Sequence, residues 1–217
     1  MAKKRKKQKA YNPAIDDGTS RPIRAAVAIG DPQDKYSEYP SSGLSPRRLA
    51  EIFREADEGN VLRQMELFEE MEEKDTHLFS QLQTRKLAVT GLDWEVQPFS
   101  EEERDVAVAE FIDDQLHSLE SLNDVLLDIL DAVGKGISLS EITWGVDSQG
   151  RNVVEDITWV HPKKIFWDSI DDAIKITTRE YPQGIPLPDN KFIVHKYKAK
   201  SGHPSRAGVL RIVSWMY

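Results

Sequence analysis

Residues 41–96, SSGLSPRRLAEIFREADEGNVLRQMELFEEMEEKDTHLFSQLQTRKLAVTGLDWEV, carry stop and start signals that divide them into three amphipathic helices and a tryptophan-bearing strand. Ser45 can cap a helix with Pro46 at its first position, where the missing N–H costs nothing. Leu49, Ile52, Phe53 and Ala56 then share one face, and Gly59-Asn60 ends the run. A second helix starts near Val61, with Val61, Met65, Phe68 and Met71 inward. Asp75 can cap a third, with Leu78, Phe79 and Leu82 inward and Gly91 as its stop. Leu92, Trp94 and Val96 alternate with polar residues, as in a half-buried strand.

Ser100 and Glu103 have capping-box spacing ahead of a fourth helix with Val108, Phe111, Ile112, Leu116 and Leu119 on its apolar side. A fifth begins near Ser121 with the stripe Leu122, Val125, Leu126, Ile129, Leu130, Val133, and Gly134 stands where a left-handed terminal residue is wanted. From Ile137 the period changes to two. Ile142, Trp144 and Val146, the turn residues 147–150, then Val153, Ile157 and Trp159 predict a β-hairpin with both tryptophans substantially buried. Short strands follow at residues 164–167, 174–178 and 191–198. Helices first and strands second predict an α+β fold. Its expected parts are a basic, disordered arm over residues 1–44, a helical region with one short strand over 45–134, and a β-rich region over 135–217. The arm's Pro, Gly, Asp and Ser content shows no sustained period, although residues 24–29 could order against a surface.

Charge is unevenly placed. The first ten residues hold Lys3, Lys4, Arg5, Lys6, Lys7 and Lys9 and no acid. The remainder has 23 basic and 37 acidic residues, a net of −14, so the body as a whole repels nucleic acid. These six cations are therefore the candidate nucleic-acid contacts, against the alternative of a solvated start to the chain. No window approaches the ~18 unbroken apolar residues of a membrane helix, and no apolar stretch follows the basic start as in a secretory signal. With no cysteine, disulfides and thiolate metal sites are excluded.

No residue pattern assembles an active site. His77, His117, His161, His195 and His203 do not pair at metal-ligand spacing. Asp113-Asp114, Asp171-Asp172 and the run Glu69, Glu70, Glu72, Glu73 read as solvated faces, because adjacent helical residues diverge. Gly134-Lys135-Gly136 lacks the rest of a phosphate loop and reads as a turn. Trp94, Trp144, Trp159 and Trp167 lack clustered lysines and read as packing residues, and the basic-aromatic segment of residues 163–168 is too short to be specific. No nucleophile, base and orienter combine, no cofactor is implied, and no enzyme activity is expected.

Several stretches, in order, resemble the portal proteins of Mu-like phages and prophages. They are YPSSGLSP (39–46), LAEIFREADEGN (49–60), LFEEMEEKDTHLFSQLQTRK (67–86) and GLDWEV (91–96), followed by GISLSEITW (136–144), HPKKIFWD (161–168), KFIVHKY (191–197) and GVLRIVSWMY (208–217). The first three together are the specific ones. The resemblance covers residue 39 to the last. It implies a structural head–tail connector subunit, one of about a dozen in a ring at one capsid vertex. DNA is packaged and ejected through such a ring. Implied partners are other portal subunits, the packaging terminase, capsid and head–tail joining proteins, and double-stranded DNA in the channel, with no membrane. The implied location is the virion, reached from the bacterial host cytoplasm.

Family members are expected to be about twice this long, and this chain ends on the apolar run Leu210, Ile212, Val213, Trp215, Met216, Tyr217. The expectation is therefore a portal-like fold truncated at its C-terminus, with residues 210–217 exposed. A second reading stays open, that of a small DNA-binding or regulatory module acting through the basic N-terminal tail.

Overall fold

The Ser45 hydroxyl accepts a hydrogen bond from the Arg48 N–H at 3.3 Å, and Pro46 takes the first helical position. In this computed structural model, which describes residues 26–28, 40–120, 122–168, 173–179, 181–182, 184–199 and 201–217, each of the first two boundaries falls where the sequence signals it. Helix α1 (Pro46–Asp57) buries Leu49, Ile52, Phe53 and Ala56. Helix α2 (Leu62–Lys74) follows, and Asp75 caps α3 (Thr76–Thr90) by accepting from the His77 and Leu78 N–H groups. Then come α4 (Glu103–Ser118), α5 (Leu122–Ile129) and α6 (Ala132–Lys135). Strands β1 (Ile137–Val146) and β2 (Asn152–Val160) form the hairpin. A 3₁₀ turn, Pro162–Lys164, leads to β3 (Ile165–Asp168), β4 (Ala173–Ile176), β5 (Ile185–Pro186) and β6 (Phe192–Lys196). A second 3₁₀ turn, Pro204–Arg206, precedes α7 (Val209–Val213).

The fold is α+β. Two antiparallel three-stranded sheets run in the orders β2-β1-β6 and β3-β4-β5. The hairpin register places Ile142 opposite Ile157 and Trp144 opposite Val154, with a bulge between Thr143 and Trp144. Helix α2 lies at the centre, touching α1, α3, α6, α7 and the first 3₁₀ turn. Its buried residues, Gln64, Met65, Glu66, Leu67, Phe68, Glu70 and Met71, surround the helix rather than form a stripe, as expected of a helix packed on all sides. One apolar cluster joins Ala28, Phe68, Leu139, Ile176 and Leu210, and so draws on the arm, the helices, both sheets and α7.

Two glycines fix how these elements meet. Gly59 has φ +109°, and a Cβ there would lie 2.1 Å from the Trp167 carbonyl oxygen, where the α1–α2 turn bonds β3. Gly136 ends α6 at φ +91°, and the Pro204 carbonyl oxygen approaches it as closely.

Several expectations are corrected. Residues 92–97 form no strand, for among the described residues no partner strand lies alongside, and Leu92 and Trp94 are exposed. Phe79 also points outward. Helix α4 has no capping box: the Ser100 hydroxyl donates to the Asp105 carboxylate and accepts from the Glu102 N–H. The fifth helix divides at a turn over Leu130 and Asp131, and Gly136, not Gly134, takes the left-handed position. Trp144 and Trp159 are only half-buried. Trp144 stands beside Phe111 and Leu116 of α4, and its indole N–H donates to the Asn190 carbonyl at 2.7 Å. The terminal run is not wholly exposed: Leu210 and Arg211 are buried, while Ile212, Trp215, Met216 and Tyr217 are open. Most of the arm assigned as disordered, including Lys3, Lys4, Arg5, Lys6, Lys7 and Lys9, lies outside the described residues. Residues 26–28 are described, and they dock on β1.

Candidate functional site

The acidic run on α2 is not a solvated face. Its carboxylates turn inward at i, i+3 spacing to meet cations from distant elements. Lys135, at the end of α6, lies 2.5 Å from Glu69, 2.8 Å from Asp131 and 3.9 Å from Glu72, and its ammonium stands 5.5 Å from the centre of the Trp159 ring. Lys86 from α3 reaches Asp131 at 3.0 Å. Asp131 caps nothing at the start of α6 because both its oxygens serve these lysines. Lys163 approaches Glu66 at 3.4 Å. Glu70 holds Lys74 and both the Ser41 N–H and hydroxyl.

The charges of this centre explain its protonation. Three carboxylates, Glu69, Glu72 and Asp131, face two lysines. Lys135 and Lys86 hold Asp131 below the usual carboxylate range against the opposing effect of burial. Burial pushes Glu72 up to about 7, since Lys135 is too far away and too committed to compensate. The Lys135 ammonium is raised by Asp131, Glu72 and Glu69. Burial and the neighbouring Lys135 pull His161 down to about 3. Its Nδ1 accepts from the Lys163 N–H at 3.1 Å, so its proton sits on Nε2. The neutral ring therefore makes no ion pair with Glu69 at 3.7 Å.

This centre joins elements rather than presenting reactive groups to solvent. Among the described residues, no group of three or more His, Cys, Asp or Glu is placed to hold a metal ion. No described helix is long and apolar enough to cross a membrane.

The accessible features are apolar faces. Phe79, Leu87 and Val89 stand out from α3, and Leu92, Trp94 and Phe99 follow on the connecting segment. Val108 and Ile112 are partly open on α4, while Phe111 and Leu116 of the same helix lean on the hairpin. Met216 and Tyr217 border a cleft of 480 Å³ between α3 and α7. Such apolar area on one chain marks a surface with neighbours.

A basic feature also escaped the sequence reading. Residues 191–217 hold six cations and no acid. Lys196, Lys198 and Arg206 are exposed there, and the Lys196 ammonium stands 5.4 Å from the centre of the Trp167 ring, which also meets His203 at 4.4 Å. The local charge count was the available signal. Asp171-Asp172 lies outside the described residues, and Asp113 meets His117 on the surface of α4.

A family model described as the portal protein of Mu bacteriophage matches residues 65–217. The chain belongs to this family. It is 34% identical over 190 residues to the Mu-like prophage FluMu protein gp29 of Haemophilus influenzae, covering 85% of this chain and 36% of that protein. It is 32% identical over 188 residues to the portal protein of Escherichia phage Mu, covering 84% of this chain and 36% of that one. The chain thus spans about a third of the length of these Mu-portal relatives. In this member of the Mu portal family the inward carboxylates of α2 tie elements of the core together, and the open faces of α3, α4 and α7 are the candidate functional surface.

Proposed function

We propose that this chain is part of a portal subunit of a Mu-like phage or prophage, a structural head–tail connector without catalysis of its own. Membership of the Mu portal family is the observation that carries the reading. In this role copies form a ring at one capsid vertex, through which DNA is packaged and ejected. Terminase, capsid and head–tail joining proteins are its partners, and the host cytoplasm is where it is made.

The physical features suit that role. A ring subunit needs two different interfaces whose rotation closes the ring, and the open apolar residues of α3, α4 and α7 are available to build them. The net charge of −14 beyond the first ten residues suits a wall along which phosphates slide without sticking. We place any phosphate contact at Lys3, Lys4, Arg5, Lys6, Lys7 and Lys9, and around Lys196, Lys198 and Arg206. The three-part organisation of arm (1–44), helical region (45–134) and β-rich region (135–217) is proposed with it.

Electron microscopy of the purified protein that carries this chain tests the reading. Closed rings of about a dozen copies are expected. Salt-dependent DNA binding without rings, lost when residues 1–10 are removed, would point instead to a small DNA-binding module.

A further inference from the structure

The backbone of residues 26–28 is gripped by side chains more than a hundred residues away. The Val27 and Ala28 N–H groups donate to the two carboxylate oxygens of Glu141, at 2.5 and 2.7 Å. The Lys164 ammonium donates to the Ala28 carbonyl oxygen at 2.8 Å. The Ala28 side chain is 1% exposed and enters the main apolar cluster, with Val27 packed against it. Glu141 has no exposed surface, and neither has Lys191, 3.4 Å from it.

These groups form a pocket that reads main chain. One carboxylate takes two successive N–H groups, one ammonium takes the following carbonyl, and there is room for a methyl group. The chemistry suits a short segment with a small residue at its centre and rejects a bulky side chain there. Emptying the pocket would take two N–H donors from the Glu141 carboxylate and one carbonyl acceptor from the Lys164 ammonium, a loss that costs more for buried charged groups than for exposed ones. The pocket is therefore better filled than vacant.

We propose that this pocket is a peptide-capture site for the segment around Val27 and Ala28, and that where two copies of the chain meet, the segment of one occupies the pocket of the other. Every copy carries both the ligand and the site, so an exchange keeps each contact that the single chain makes. Among the described residues, Ser41 is held by Glu70. The intervening chain can reach at most on the order of 40 Å, further than the ~30 Å diameter of a small domain. Any neighbour's pocket within about 40 Å of Ser41 can be reached while Ser41 stays in place. The site rests on this packing and stands independently of the portal reading.

Two variants of the 217-residue chain taken by itself, apart from any longer ring-forming protein, test it. Ala28→Arg removes a usable ligand and keeps the pocket, whereas Glu141→Gln weakens the pocket and keeps the ligand. Each alone should be monomeric by native mass spectrometry, and mixing them should give a one-to-one heterodimer. Should Glu141→Gln not fold, a labelled peptide of residues 23–30 is titrated into Ala28→Arg and into the wild type. Binding to the variant should be at least about tenfold tighter, because the wild-type segment competes from within its own chain. Folded variants that stay monomeric on mixing overturn the exchange between copies, even if the peptide binds. A peptide that ignores the Ala28→Arg chain, or binds both proteins equally, overturns the capture site itself.

Discussion

Glu141 and Lys191 face each other at 3.4 Å, and neither side chain has any exposed surface. The Lys191 ammonium also donates to the Ile142 carbonyl at 2.8 Å. A buried pair contributes little net stability, but removing Lys191 takes the facing positive charge from Glu141, which keeps the Val27 and Ala28 N–H donors. Lys191→Met should therefore cost about 3–5 kcal/mol, measured by urea unfolding. A cost under about 1 kcal/mol would mean that water reaches Glu141.

Gly136 and Gly150 both have positive φ, +91° and +79°, yet only Gly136 is crowded. A Cβ on Gly136 would stand 2.2 Å from the Pro204 carbonyl oxygen, whereas one on Gly150 would meet nothing within 4 Å. Gly150→Ala should cost only backbone strain, about 1 kcal/mol. Gly136→Ala should cost at least about 3 kcal/mol, because the β1 start and the second 3₁₀ turn must separate. Equal costs in thermal unfolding would contradict the close approach.

Glu72 gives a pH dependence of known sign. Its folded pKa of about 7 lies above the ordinary 4.5, so the folded protein holds the proton more tightly than the unfolded chain. Its favourable contribution is complete below about pH 4.5 and is lost as pH rises through 7. His161, lowered to about 3, acts in the opposite sense between about pH 3 and 6.5, so the wild-type curve mixes the two. Glu72→Gln isolates the carboxyl group. The variant's Tm advantage over the wild type should grow from about pH 5 to about pH 8. An advantage that is flat or shrinks would show that Glu72 is ionised throughout.

Trp144 is half-buried, and its indole N–H reaches the carbonyl of Asn190, a residue in the left-handed conformation at φ 55°. Trp144→Phe, which keeps an aromatic ring, should cost about 1 kcal/mol. Trp144→Ala, which also uncovers the α4–hairpin contact, should cost about 2–3 kcal/mol. Identical costs for the two would place the ring outside that contact.

Local signals carried much of the fold. Ser45, Asp75 and the period change at Ile137 each mark a boundary that the structure keeps. These features depend on neighbours within a few residues, and the sequence displays those directly. Features that depend on distant partners were not legible. Leu92, Trp94 and Val96 alternate like a strand, but a strand also needs a ladder partner, and the described residues supply none there. Glu69 and Glu72 look like surface charge until Lys135 arrives from α6. Leu210 looks like exposed apolar sequence until α7 folds it against Gly134. The capture of Val27 and Ala28 by Glu141 spans 113 residues or more, beyond any pattern of spacing.

The central claim, that this chain builds the portal vertex, is tested most directly by locating it in particles. Heads from the phage or prophage that encodes it, carrying an epitope tag on the chain, are imaged with gold-labelled antibody. The account predicts label at a single vertex of each head, where the tail attaches. Label spread over the shell, or particles that lack the chain altogether, would contradict it.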